Sequence, residues 1–115
     1  MTCGQMSYEQ IAAMMEEMEL PFAYHHFAEG ECPQPPFLVF LSTGERTFSA
    51  DNEMYFSSKQ LDIELYTDRK QPETERQVEA VLRRHHIFYQ KSEQWIDSEQ
   101  FYEVLYEMEV GFGEK

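Results

Sequence analysis

The chain is poor in positive charge. Its 115 residues carry 9 lysines and arginines against 22 aspartates and glutamates, a formal net charge of −13 at pH 7. Phosphate contacts need Lys and Arg, so this balance argues against specific nucleic-acid binding and against an anionic membrane surface. It favours solubility and basic partners. Cysteine is scarce as well. Cys3 and Cys32 are the only two, which excludes a disulfide framework and points to a reducing compartment. Five glycines leave no Gly-rich loop to cradle a phosphate. No stretch approaches the roughly 20 apolar residues of a membrane span. The opening MTCGQMSYEQ has neither a basic start nor an apolar run, so no secretory signal is expected. There is no internal repeat and no low-complexity block.

What is present is the material of a packed core. Hydrophobic content is 42% and aromatic content 15%, too high for a disordered chain. A chain of this length forms one domain and buries about 60–70% of its unfolded surface. The domain is expected to span residues 1–115, with 1–6 and 111–115 as loose ends.

Hydrophobic periodicity divides the chain into helical and extended segments. MSYEQIAAMMEEMELP reads as a helix with Ser7 as N-cap, Gln10 completing a capping box and Met6 stapled on Ile11. Ile11, Met14, Met15 and Met18 share one of its faces, and Pro21 stops it. Four of the seven methionines lie on or beside it, read here as an adaptable core face, with a protein-binding patch as the alternative. FAYHHFAEG is a first strand, followed by a stiff loop with prolines at 33, 35 and 36. FLVFLS, residues 37–42, is a strand apolar on both faces. GERTFSADNE is a turn region with a short strand at 47–50. MYFSSKQLDIELYTD is a long strand in which Leu61, Ile63 and Leu65 alternate with Asp62, Glu64 and Tyr66.

RKQPETERQVEAVLRRHH is the second helix. It starts on Pro72, carries Glu73 and Glu75 at its positive end and places Arg83, Arg84, His85 and His86 at its negative end. Its apolar stripe is Val78, Val81, Leu82 and His85, with a Glu79–Arg83 pair at i, i+4. IFYQK is a short strand, SEQWIDSEQ a turn or short strand, and FYEVLYEMEV the last strand. There Tyr102, Val104, Tyr106, Met108 and Val110 alternate with Glu103, Leu105, Glu107 and Glu109. The order α-β-β-(β)-α-β-β is that of an α+β domain, a mixed or antiparallel sheet of about four to five strands with two helices on one face.

Two helices cover only one face of such a sheet. The double-sided apolar run at 37–42, with Tyr66 and Leu105 on the outward rows, therefore predicts an uncovered apolar patch, and such a patch is usually an interface. Leu38, Phe40, Tyr66 and Leu105 are the candidate interface residues, and self-association is the expected use. A barrel-like sheet that covers itself is the competing arrangement.

Catalytic signals are weak. Adjacent histidines on a strand point to opposite faces, so neither His25–His26 nor His85–His86 reads as a chelating pair, and no HExxH spacing occurs. A nucleophile pair from Cys32 with His25 or His26 has no supporting local motif. Carboxylates in rows at Asp62, Glu64, Glu103, Glu107 and Glu109 read as a solvated face rather than an acid–base pair. No enzyme, cofactor or metal is expected. A small enzyme built on His25 or His26 with Cys32 is the least favoured class.

LDIELYTDRKQPETERQVEAVL, followed by IFYQKSEQWIDSEQFYEVLYEMEV and preceded by LPFAYHHF and PPFLVFL, resembles small prophage proteins of Gram-positive bacteria. These belong to the tail-completion or tail-terminator class at the head–tail junction of long-tailed phages. The resemblance covers residues 7–110 and rests on structural strings, so it transfers no individual functional residue. It implies a structural virion protein, made in the host cytoplasm, that forms a homo-oligomeric ring, commonly of six copies. Its partners would be the tail-tube and neck proteins. DNA would at most pass through the ring, and Asp62, Glu64, Glu103, Glu107 and Glu109 are the expected acidic lining, a like-charged wall that phosphates slide past. Cys32 in the proline loop and the short GFGEK end depart from the pattern. The alternative is an acidic DNA-mimic inhibitor of a basic host protein. Against it, the acids are interleaved with Arg46, Arg69, Lys70, Arg83 and Arg84.

Overall fold

The structure, a computed structural model, describes residues 8–28, 30–50 and 54–112, with the backbone alone described for 43–50, 54–59 and 111–112. Helix α1 spans Tyr8–Glu17. Ile11, Met14, Met15 and Met18, at i, i+3, i+4 and i+7, are all buried, as that spacing requires. The helix ends in a tight turn, with Met18 and Glu19 donating to the carbonyls of Met15 and Glu16. Glu19 adopts a left-handed φ of 62°, so the chain has already turned before Pro21. Ser7 and Met6 lie outside the described residues, as does Cys3.

Strand β1, Phe22–Tyr24, is short. β2 runs Phe37–Ala50 and β3 Met54–Thr67. The two form one long antiparallel hairpin from Phe37↔Tyr66 to Ala50↔Met54, with an irregularity between Ser42 and Gly44. The region read as a turn is therefore strand along its length to Ala50. Polar GERTFSA pairs because the partner strand continues alongside it, a long-range condition that local composition does not carry.

Helix α2, Pro72–Arg84, starts on its proline. At its other end His86 N–H bonds the Arg83 carbonyl and Ile87 N–H bonds Leu82. With His86 at φ 60°, this is a Schellman closure with histidine where glycine is usual. β4, Gln90–Ile96, starts later than IFYQK implied. β5 is Phe101–Phe112, so the segment expected to be a loose end at 111–112 still belongs to a strand.

The five strands form one mixed sheet in the order β1-β2-β3-β5-β4. β1 is parallel to β2, and all other pairings are antiparallel. This is the α+β architecture expected, with both helices on one face. Leu38, Phe40, Leu61, Ile63, Leu65, Val104, Tyr106, Met108 and Val110 meet the α1 residues and Val78, Val81 and Leu82 of α2 in a single core. Past β1 and β4 the β2–β3 hairpin continues with β5 alone. The molecule is correspondingly long, 50 × 28 × 23 Å with a radius of gyration of 15.4 Å, against about 13 Å for a compact chain of this length.

Candidate functional site

Strand alternation puts every second residue on the face the helices leave bare. On β3 these are Gln60, Asp62, Glu64 and Tyr66. On β5 they are Phe101, Glu103, Leu105, Glu107 and Glu109. The register sets Gln60 opposite Glu109, Asp62 opposite Glu107, Glu64 opposite Leu105 and Tyr66 opposite Glu103. All five expected acidic residues thus share one face of two central, adjacent strands. Tyr66 and Leu105 lie among them.

Leu38 and Phe40 do not. They are 0% and 1% exposed, opposite Leu65 and Ile63 in the core under the helices, and cannot form a subunit interface. Their outward neighbours Phe37, Val39 and Leu41 occupy the bare face, and even there the uncovered patch is smaller than expected. Phe37 is 4% and Val39 7% exposed. Phe27, from the segment after β1, packs edge-on against Phe37 at 5.5 Å, and Tyr66 and Phe101 stand 5.3 and 5.6 Å from the same ring. The chain's own loop caps the aromatic end of this face. Leu41, Ile96 and Leu105 remain half-buried.

At the boundary between aromatics and acids, the Tyr66 hydroxyl donates to Glu64 (2.8 Å) and Glu103 (3.2 Å). Gln94 donates to the other Glu103 oxygen at 2.7 Å, and Gln60 donates to Asp62 at 3.0 Å. Burial pushes the Glu64 carboxyl above its usual range, the neighbouring Glu103 and Asp62 charges add to this, and the Tyr66 hydrogen bond and nearby His25 oppose it. Burial and the two carboxylates hold the Tyr66 phenol protonated far above its ordinary value. The face is therefore a preorganised acidic surface whose amides and phenol satisfy some carboxylate oxygens and leave the negative charge in place. Phe27, Phe37 and Phe101 were not singled out from the sequence. One alternation step back from Glu103 finds Phe101, whereas Phe37 enters as the partner of Tyr66 across the β2–β3 pairing.

A second polar cluster lies on the helix side. Glu75 and Glu79 of α2 are 3% and 9% exposed. Lys91 of β4 stands 2.9 Å from Glu75 and 2.7 Å from Glu79, whose carboxylate also accepts from Tyr106 at 2.8 Å. Lys70 lies 3.0 Å from each Glu75 oxygen. Its hydrogen bond goes to Oε1, and Oε2 is held by charge. Lys70 also pairs with Glu93 at 2.7 Å, and Tyr102 donates to that carboxylate. Burial works against the Lys91 charge, but Glu79 and Glu75 outweigh it and raise its pKa. Glu79 is thus committed to Lys91 and Tyr106 rather than to Arg83. Arg84 and His85 instead reach Glu17 of α1, each at 3.1 Å, tying the helix ends together and lowering the Glu17 pKa.

The histidines depart from the strand argument. β1 ends at Tyr24, and His25 has φ 72°, so the rings of His25 and His26 meet, with Nδ1 atoms 3.2 Å apart. Cys32 reaches the carbonyl of its neighbour Pro33 rather than a histidine. Among the described residues no three His, Cys, Asp or Glu side chains form a metal-binding group, and no helix is long and apolar enough to cross a membrane. Comparison with known proteins adds no identity: no family model matches the chain, and no curated protein gives a significant match.

Proposed function

We propose that this chain is a structural assembly protein that forms a ring with its acidic sheet face turned to the lumen, in the manner of the tail-completion and tail-terminator proteins its sequence resembles. The observation that carries the reading is the placement of Asp62, Glu64, Glu103, Glu107 and Glu109 together on the face opposite the helices. A wall of like charge lets DNA pass without adhering, because the phosphates gain no counterion-releasing contacts. The helices then lie outward, where tail-tube and neck proteins dock, and the chain has no catalytic task.

The test is imaging of the particle formed with tail-tube protein, paired with the charge reversal Glu107→Lys. The reading expects annular particles, and a Glu107→Lys ring that retains DNA in a filter-binding assay where the parent ring does not. Rings with these carboxylates on their outer surface would sink it. A lone chain that captures a basic host enzyme would favour the DNA-mimic class instead.

A further inference from the structure

The two sides of the hairpin end differ from the rest of the sheet. β1 covers β2 only at residues 38–40, and β4 covers β5 only at 101–107. Among the described residues no strand pairs with the outer side of β2 past Phe40 or of β5 past Glu107. The two open edges lie at one level. Across β3, Leu61 aligns Ser42 with Met108, Gln60 aligns Gly44 with Glu109, Ser58 aligns Arg46 with Gly111, and Ser57 aligns Thr47 with Phe112. Unpaired strand edges of this length are templates for pairing with another chain.

We infer that the open edge of β5, residues 108–112, receives the open edge of β2, residues 42–47, from a second copy of the chain. This inference rests on the ring reading and names its seam. The contact is heterologous, since different edges meet, so it propagates into a ring or a filament rather than closing a two-fold dimer. Both strands run antiparallel to β3 and hence parallel to each other. Rotation about a ring axis preserves that sense, so the seam is a parallel ladder. The surroundings of the β5 edge leave room for an incoming strand. Beside it lies an open groove of about 670 Å³ walled by Phe88, Tyr89, Glu107 and Glu109. Phe88 is 96% exposed, placed to cover an arriving strand.

The geometry also fits the bore. With six copies, the number the resemblance implies, three strands each give about 18 strands. At a spacing of ~4.8 Å and a tilt of ~40° the barrel is about 36 Å across its backbone. Side chains filling about 5 Å of each wall leave a bore of about 26 Å, room for a DNA duplex.

Amide hydrogen exchange, followed as the chain is concentrated, tests the seam. Strand amides alternate in direction, so in an isolated chain only those of 108–112 that face β3 are protected. The inference expects the remaining amides of 108–112 and the outward ones of 42–47 to become protected together as an oligomer forms. It also expects Phe88→Ala to weaken that association about tenfold while the variant stays folded. A chain that stays monomeric at millimolar concentration overturns the inference, as does Phe88→Ala associating as the parent does. A ring whose edge amides still exchange overturns the seam and leaves the ring reading standing, whereas failure to form a ring even with tail-tube protein removes that reading as well.

Discussion

Lys91 holds two buried carboxylates at once, so it is the residue whose loss the fold should feel most sharply among the charged ones. Lys91→Met leaves Glu75 and Glu79 desolvated without their main cation and is expected to cost about 2–3 kcal/mol, read from the urea midpoint. Lys70→Met, whose side chain is 43% exposed, should cost under about 1 kcal/mol; equal losses would contradict the assignment of Lys91 as the principal partner. Glu64 works in the opposite sense. Its folded pKa is raised, so just above the ordinary carboxylate range the folded chain binds more protons than the unfolded one, and stability falls as pH climbs through that window. Glu64→Gln should therefore stabilise the chain at pH 7 by on the order of 0.5 kcal/mol, with the gain vanishing below the ordinary carboxylate range in a pH series of unfolding curves. The acidic row was legible because strand alternation is a local pattern. The Glu75–Glu79 pair was legible in principle, since Glu75, Val78, Glu79 and Leu82 fall at i, i+3, i+4 and i+7 on one stripe. It was read instead as helix-end charge and an Arg83 partner, because the lysine that justifies its burial comes from another element.

At the scale of elements, α2 closes on a left-handed histidine. His86→Gly should stabilise the chain by about 0.5–1 kcal/mol, since glycine adopts φ 60° without a Cβ clash; a thermal midpoint that drops would show that the His86 side chain contributes something the closure does not require. The methionine face of α1 is a sealed part of the core. Met14→Ala, at 0% exposure, should cost about 3 kcal/mol, while Phe88→Ala at the entry to β4 should stay within about 0.5 kcal/mol of the parent. Helices were well read because their periodicity and punctuation are internal to the segment. Strand extents were less well read. β2 continues through GERTFSA and β4 begins at Gln90 because of the neighbours they pair with. The apolar run at 37–42 carried a true signal, two buried faces, but the second is covered by Phe27 and by Tyr66 and Phe101 at its aromatic end. Leu38 and Phe40 were therefore assigned to the wrong side of the sheet, a parity that the run itself, apolar at every position, does not encode.

At the scale of the molecule, the fold divides its surface by chemistry. Helices and their ion-pair network occupy one side, a carboxylate face the other, and an open-edged hairpin extends beyond both. The proposed ring would use the acidic face together with the edges that stand open among the described residues. The most direct test of that account is the mass in solution, by light scattering over a range of concentration and salt, for the chain alone and with tail-tube protein. The account predicts a discrete species near six times the 13.7 kDa protomer mass. A chain that remains a single protomer in every condition, tube protein included, would contradict it.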